Sequence, residues 1–247
     1  MVDQAADGSF TTLEGVPIPA LTARQMKMVD DLAENRFRLS VLQMMENAGR
    51  DLAQLIWPRL DMDQDSVVVL AGSGGNGGGG LAAARHLHNH GVKVHLILSR
   101  DETKLSGPAE AQMAVVKQAG LKALPDSAIE GAIARSKVVI DALIGYSLQG
   151  APRGRSRELI EICNQKAGFI ISLDVPSGLD ATSGERPGLS VSPQQVITLA
   201  LPKTGLASVG GEMFLADIGI PPALYRHLDL DVGCLFKGEY ILPIKHT

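Results

Sequence analysis

A chain of 247 residues with 45% hydrophobic content can bury one full core, which leaves no room for a second catalytic module. A net charge of −4 and a pI near 5.9, with no block of like charges, give no electrostatic footprint for nucleic acid. Two cysteines, Cys163 and Cys234, lie far apart without C-x-x-C spacing, which argues against a disulfide framework or a thiolate zinc site and for a reducing compartment.

The opening MVDQAADGSF has neither a basic leader region nor an apolar core. No apolar stretch approaches the roughly 20 residues of a membrane span, so a cytoplasmic chain without a membrane partner is expected. Thr22-Ala-Arg-Gln25 and Ser40-Val-Leu-Gln43 fit the capping box, in which a hydroxyl and an amide three residues on satisfy each other's free backbone donors; two helices are expected to begin there. The second carries Val41, Met45, Ala48, Leu52 and Leu55 at helical spacing, a core-facing stripe.

Residues 66–90 then read SVVVLAGSGGNGGGGLAAARHLHNH: an apolar strand, seven glycines within nine positions, and an alanine-rich helix from Leu81. That order presents backbone N–H groups and a helix N-terminus to an anion, so a phosphate-bearing ligand is expected, although the G-x-G-x-x-G of Gly72, Gly74 and Gly77 is weak on its own. From Val67 onward strands are expected at 67–71, 92–98, 121–124, 137–141, 169–174, 195–201 and 212–218, with helices at 80–90, 108–119, 127–135 and 155–166. Such alternation predicts a mostly parallel sheet with helices on both faces, and ligands bound beyond the carboxyl ends of its strands.

Three of those ends carry oxygen donors: Asn76 in the glycine turn, Asp141 in DALIGYSLQG, and Asp174 in DVPSGLDATSGE with Ser177 close behind. Hard oxygen donors suit a hard cation, exposed turn carbonyls can replace the hydration shell of a large monovalent ion, and paired carboxylates permit acid–base work. Taken singly, each residue could instead close an Asx turn or cap a helix; together they favour a ligand site. His86 and His90 share a helix face without a third metal ligand, Lys203-Thr204-Gly205 has no S-x-x-K partner, and Arg153, Arg155 and Arg157 stand where a helix begins.

Several motifs in order resemble one family. Leu42-Gln-Met-Met-Glu-Asn-Ala-Gly49 is similar to its L-M-E-N-A-G helix, GSGGNGGGG to its G-P-G-N-N-G-G-D-G turn, DALIGYSLQG to its D-A-L-F-G segment and LDVPSGLDATSG to its D-I-P-S-G-L-D segment; LPKTGL and ADIGIP also match. The family is the YjeF N-terminal domain, whose enzymatic members are NAD(P)HX epimerases. The resemblance implies a Rossmann-like three-layer α/β/α sandwich in a single domain over residues 1–247, with N-terminal helices in 1–60 packed on a core of 66–220. It also implies a homodimer and a potassium ion held by Asn76, Asp141 and Ser177. Substrate would lie along Gly75, Asn76, Gly77, Gly78 and Gly79 and along Gly145, Tyr146, Ser147, Leu148, Gln149, Gly150 and Ala151, with Asp174 as the catalytic carboxylate.

The implied reaction interconverts the R and S forms of hydrated NADH or NADPH, with an NAD(P)HX dehydratase on a separate polypeptide. Ring carbon six bears both oxygen and nitrogen, so its configuration inverts if hydroxide leaves and returns through an iminium-like species, assisted by a carboxylate that exchanges a proton. In the glycine turn Gly75 and Gly79 stand where the family has Asn and Asp, and each lost neutral hydrogen bond is worth about 0.5–1.5 kcal/mol. The alternative reading is a non-catalytic YjeF-type domain that binds a nucleotide-like ligand or a protein partner. An ordinary NAD(P)-dependent oxidoreductase fits less well, because the position about 20 residues beyond the glycines falls at Arg100 and Asp101 rather than on a clear strand-end acid.

Overall fold

The computed structural model describes residues 6–247; the first five residues, part of the opening read above for a leader, lie outside the described residues. In chain order the elements are β1 (Ala6–Thr12), β2 (Pro17–Ala20), α1 (Ala23–Asn35), α2 (Val41–Ile56), β3 (Ser66–Ala71), α3 (Gly75–Asn89), β4 (Lys93–Leu98) and α4 (Gly107–Gln118). They continue with α5 (Ile129–Arg135), β5 (Val138–Ala142), α6 (Gly154–Lys166), β6 (Ile170–Leu173), β7 (Gln195–Leu199), β8 (Glu212–Ala216), α7 (Pro222–Tyr225) and β9 (Ile241–His246). Both capping boxes form: Thr22 and Ser40 each accept from the backbone three residues on, and Gln25 and Gln43 reach back.

Among the described residues nine strands make one sheet in the order β2-β1-β9-β8-β7-β6-β5-β3-β4. From β4 to β8 neighbouring strands run parallel, while β9, β1 and β2 add an antiparallel edge. That edge is absent from the sequence pattern because Pro19 and Pro243 fall inside its strands and argue against a ladder. Residues 121–124 form no strand; only Ala123 bridges to Leu96.

Side chains alternate across the sheet. Val67, Val69 and Ala71 of β3 enter a core with Leu52 and Ile56 of α2, Leu81 and Leu87 of α3 and Val116 of α4. Val68 and Leu70 point the other way, to Ile133 of α5 and Leu159, Ile160 and Cys163 of α6. A third cluster joins α1 and α7 to the antiparallel edge through Phe10, Val29, Leu215, Leu224 and Ile244.

Helix α3 begins at Gly75, not near residue 80, so the glycine run is largely helical. Glycine costs about 1 kcal/mol in a helix relative to alanine. Here close backbone approach overrides that penalty: a Cβ on Gly77 would lie 1.9 Å from the Gly72 carbonyl oxygen, and one on Gly80 would lie 2.5 Å from Ala142 Cβ. The glycines bring α3 down onto β3 and β5. The chain passes from β3 outward to β4 and returns across β3 to β5, so strand order reverses between β3 and β5, where doubly wound sheets open a crevice.

Candidate active site

A cleft of about 800 Å³ lies at that reversal. Gly74, Gly75, Asn76 and Gly79 of the α3 start line it, as do Gly145, Tyr146, Ser147, Leu148, Gln149 and Ala151 after β5, and Asp174 after β6. Gly77, Gly78 and Gly150 do not belong to the lining; a Cβ on Gly78 would meet Met45 at 2.7 Å, and Gly150 holds a left-handed turn at φ +67°. No side chain caps α3, and its first backbone bond runs from the Gly78 N–H to the Gly74 carbonyl at 3.0 Å. The preceding N–H groups of the turn therefore face the cleft end without helical partners, the arrangement that receives an anion. Arg100 after β4 and Arg153 before α6 also line the cleft, whereas Arg155 pairs with Asp126 and Glu158 and Arg157 with Glu161.

Asp141 is the next-to-last residue of β5 and is wholly buried. Register places it opposite Ser172 of β6, whose hydroxyl donates to Asp141 Oδ2 at 2.7 Å. The Ser177 N–H donates to the same oxygen at 2.9 Å, while the Ser177 hydroxyl and the Leu143 N–H donate to Oδ1 at 2.5 and 3.3 Å. Burial nevertheless pushes the Asp141 carboxyl above the usual carboxylate range, against the pull of these donors. Neither Asp141 nor Ser177 lines the cleft; they form a closed corner behind it.

Asn76 joins that corner to the cleft. Both atoms of its side-chain amide are shut off from solvent with no hydrogen-bond partner. The side chain packs on Gly145, where a Cβ would stand 3.2 Å from Asn76 Cβ and 3.2 Å from Asp174 Oδ2. Gly145 follows Ile144, whose N–H donates to Ser177 Oγ at 2.8 Å. The orphaned amide oxygen thus sits against the loop that Ser177 holds through Ile144, and an unpartnered buried oxygen is a donor of the kind that hard cations satisfy. Among the described residues no group of three His, Cys, Asp or Glu side chains is placed to hold a metal. His86 bonds Glu46 at 2.8 Å, and His90 stacks edge-on against Trp57.

Asp174 differs in kind. Its backbone sits at φ +70°, a left-handed conformation costly for a residue with a Cβ and held here by its N–H to the Ile197 carbonyl at 2.8 Å. Oδ1 pairs with the ammonium of Lys203, which is only 1% exposed and also donates to the Leu199 carbonyl at 2.8 Å. Oδ2 accepts the Tyr146 N–H at 3.2 Å, and the Tyr146 hydroxyl in turn bonds Asp30 of α1. Lys203, Tyr146 and Asp30 thus form one network with Asp174. Sequence reading gave Lys203 and Asp30 no role: the Lys203-Thr204-Gly205 triplet marked the lysine without a partner, and Asp30 is one acid among several on an amphipathic helix.

The family model for YjeF-related protein N-terminus matches residues 41–205. An NAD(P)H-hydrate epimerase of Dehalogenimonas lykanthroporepellens is 48% identical over 224 residues, covering 90% of each chain. Another from Rhodopirellula baltica is 31% identical over 86% of this chain and 89% of its own. A bifunctional NAD(P)H-hydrate repair enzyme Nnr of Hyperthermus butylicus is 37% identical over 82% of this chain, which spans 39% of that longer protein. The crystal structure of yeast ynu0 shares the fold, with a TM-score of 0.78 over 91% of this chain and 99% of its own at 20% identity. With the family model matched over residues 41–205 and relatives at 31–48% identity covering most of its length, the chain belongs to the family of the YjeF-related protein N-terminus.

Proposed function

We infer that this protein is an NAD(P)H-hydrate epimerase, which interconverts the R and S forms of hydrated NADH and NADPH in nicotinamide cofactor repair. The observation that carries this reading is 48% identity to an epimerase across 90% of both chains. The cleft supports it chemically. Its glycine-lined helix start, Arg100 and Arg153 offer positive potential to a diphosphate, while Asp174 lies where a cationic ring can be stabilised.

Loss of the hydroxyl from carbon six leaves positive charge on the ring nitrogen. The Asp174 carboxylate, fixed by Lys203 and the Tyr146 N–H, faces that charge without having to reorganise. It also exchanges the proton that must leave when water returns to the opposite face. Gly75, Asn76 and Gly79, with residues 145–149 and Ala151, hold the ligand. Asn76, Asp141 and Ser177 would hold a potassium ion, which when bound balances the buried charge of Asp141 and adds positive potential behind the ligand. The orphaned Asn76 amide supports that assignment.

The altered turn is compatible with this chemistry. A Cβ on Gly75 would meet only Met45 Cε at 3.8 Å, whereas one on Gly79 would press on Leu173 Cδ2 at 3.0 Å. Neither glycine stands among the groups that bond Asp174. We further propose a cytoplasmic homodimer, consistent with two free cysteines and with no membrane-spanning helix among the described residues. An NAD(P)HX dehydratase is proposed as its partner in the same repair sequence. Sedimentation velocity tests the dimer.

The decisive experiment supplies the R epimer of hydrated NADH with an added dehydratase and follows recovery of NADH. The native chain is expected to accelerate recovery. Recovery with Gly79→Asp but not with the native chain would overturn the assignment in favour of a binding domain.

A further inference from the structure

Epimerisation needs a proton for the departing hydroxyl, and Asp174 is poorly placed to give one because it is the anionic member of a buried ion pair. A second carboxyl group lines the same cleft. Asp30 projects from α1, and Tyr146 bridges it to Asp174, bonding Asp30 through its hydroxyl and Asp174 through its N–H. The two acids thus reach the cleft from different elements, one helix and one strand end, and share a single tyrosine between them.

We propose that Asp30 is the second catalytic acid of this site, the donor that protonates the leaving oxygen at carbon six. This rests on the epimerase reading and deepens it. The Asp30 carboxyl gives its proton to the oxygen; the carbon–oxygen bond breaks with its electron pair on oxygen, which departs as water. The ring nitrogen's lone pair closes the carbon–nitrogen double bond. Water then adds to the opposite face and returns one proton to the Asp30–Asp174 pair, so the pair again holds a single proton and the charge is restored. Burial pushes the Asp30 carboxyl above the usual range, while the Tyr146 hydrogen bond and the Lys203 charge pull it down and Asp174 and Asp31 push it up. Asp174 contacts the buried ammonium of Lys203 and Asp30 contacts only the Tyr146 hydroxyl, a difference in surroundings of the kind that separates a proton acceptor from a donor. The other charged or titratable groups on this side are Lys27 and Glu34 of α1, which also line the cleft, and Tyr225 of α7, which feels the Asp30 charge.

The test compares Asp30→Asn and Tyr146→Phe with the native chain on R-form hydrated NADH, with kcat, KM and the pH profile of kcat measured. Asp30→Asn is expected to lower kcat by about 100-fold or more, the scale of a lost general acid, with KM little changed. Tyr146→Phe keeps the acid and loses only its hydrogen bond, so kcat is expected to fall by less than in Asp30→Asn. Removing the tyrosine hydrogen bond also removes a pull that lowers the Asp30 carboxyl, so the alkaline limb of the kcat profile should move to higher pH.

Native-like kcat in Asp30→Asn overturns the proposal and leaves the epimerase assignment standing. Equal losses in both variants also overturn it, because Asp30 would then only anchor Tyr146. If Asp30→Asn does not fold, the limb decides: an unmoved limb in Tyr146→Phe overturns the proposal. Inactivity of the native chain overturns the epimerase reading and this inference together.

Discussion

Asp141 lies one residue before the end of β5 and Asp174 just after β6, its parallel neighbour, and the two corners they build work in opposite ways. At the closed corner, Asp141 gives both oxygens to four donors from Ser172, Ser177 and Leu143, and none of it reaches the cleft. At the open corner, Asp174 balances its charge against one buried lysine, keeps one oxygen bonded only by a backbone N–H, and lines the cleft. A strand-end carboxylate ties loops together when buried donors from neighbouring segments converge on it. It becomes available to a ligand when a single cation compensates it and one edge stays open.

The largest effect is expected from Asp174→Asn. An amide keeps the shape and tolerates φ +70°, but cannot exchange the proton, so kcat for epimerisation should fall by about 10²–10⁴-fold. If Asp141→Asn lowered kcat equally at saturating potassium, the contrast between the corners would collapse. Next comes Lys203→Met, which leaves Asp174 buried without its partner and should cost about 3–5 kcal/mol in denaturant unfolding. The double variant Asp174→Asn with Lys203→Met should recover much of that stability without recovering activity, as coupled groups do. Additive losses would show that the ion pair is not the unit that holds the open corner.

Asp141→Asn probes the closed corner. Each Asp141 oxygen accepts a backbone N–H, one from Ser177 and one from Leu143, so either orientation of the amide sets an NH₂ group against a buried donor. A stability loss of about 1–3 kcal/mol is expected, readable in the unfolding midpoint. A smaller effect is expected from the cation. Potassium at about ten times its dissociation constant should raise unfolding free energy by about 1.4 kcal/mol over choline at the same ionic strength, and Asn76→Ala should remove the increment. An identical response in Asn76→Ala would detach the orphaned amide from any cation.

Much of this was readable in the chain itself. The two capping boxes placed α1 and α2, the apolar runs placed β3 to β8, and the strand-end rule picked out Asn76, Asp141, Asp174 and Ser177. The helical glycines were not readable, because isolated propensity makes Gly75–Gly80 a turn and only the approach of α3 to Gly72 and Ala142 makes it a helix. Nor was the antiparallel edge, whose short, proline-bearing strands gain their partners from opposite ends of the chain.

Local chemistry in the sequence therefore determined the alternating elements, the parallel sheet and the family, since caps, apolar runs and motif order depend on residues close together in the chain. Tertiary structure alone decided which acid is caged and which is open. It also brought Lys203 and Asp30, 29 and 144 positions from Asp174, into its network through contacts that no local pattern encodes. Burial and charge compensation are properties of the assembled interior, and they assign different work to identical side chains.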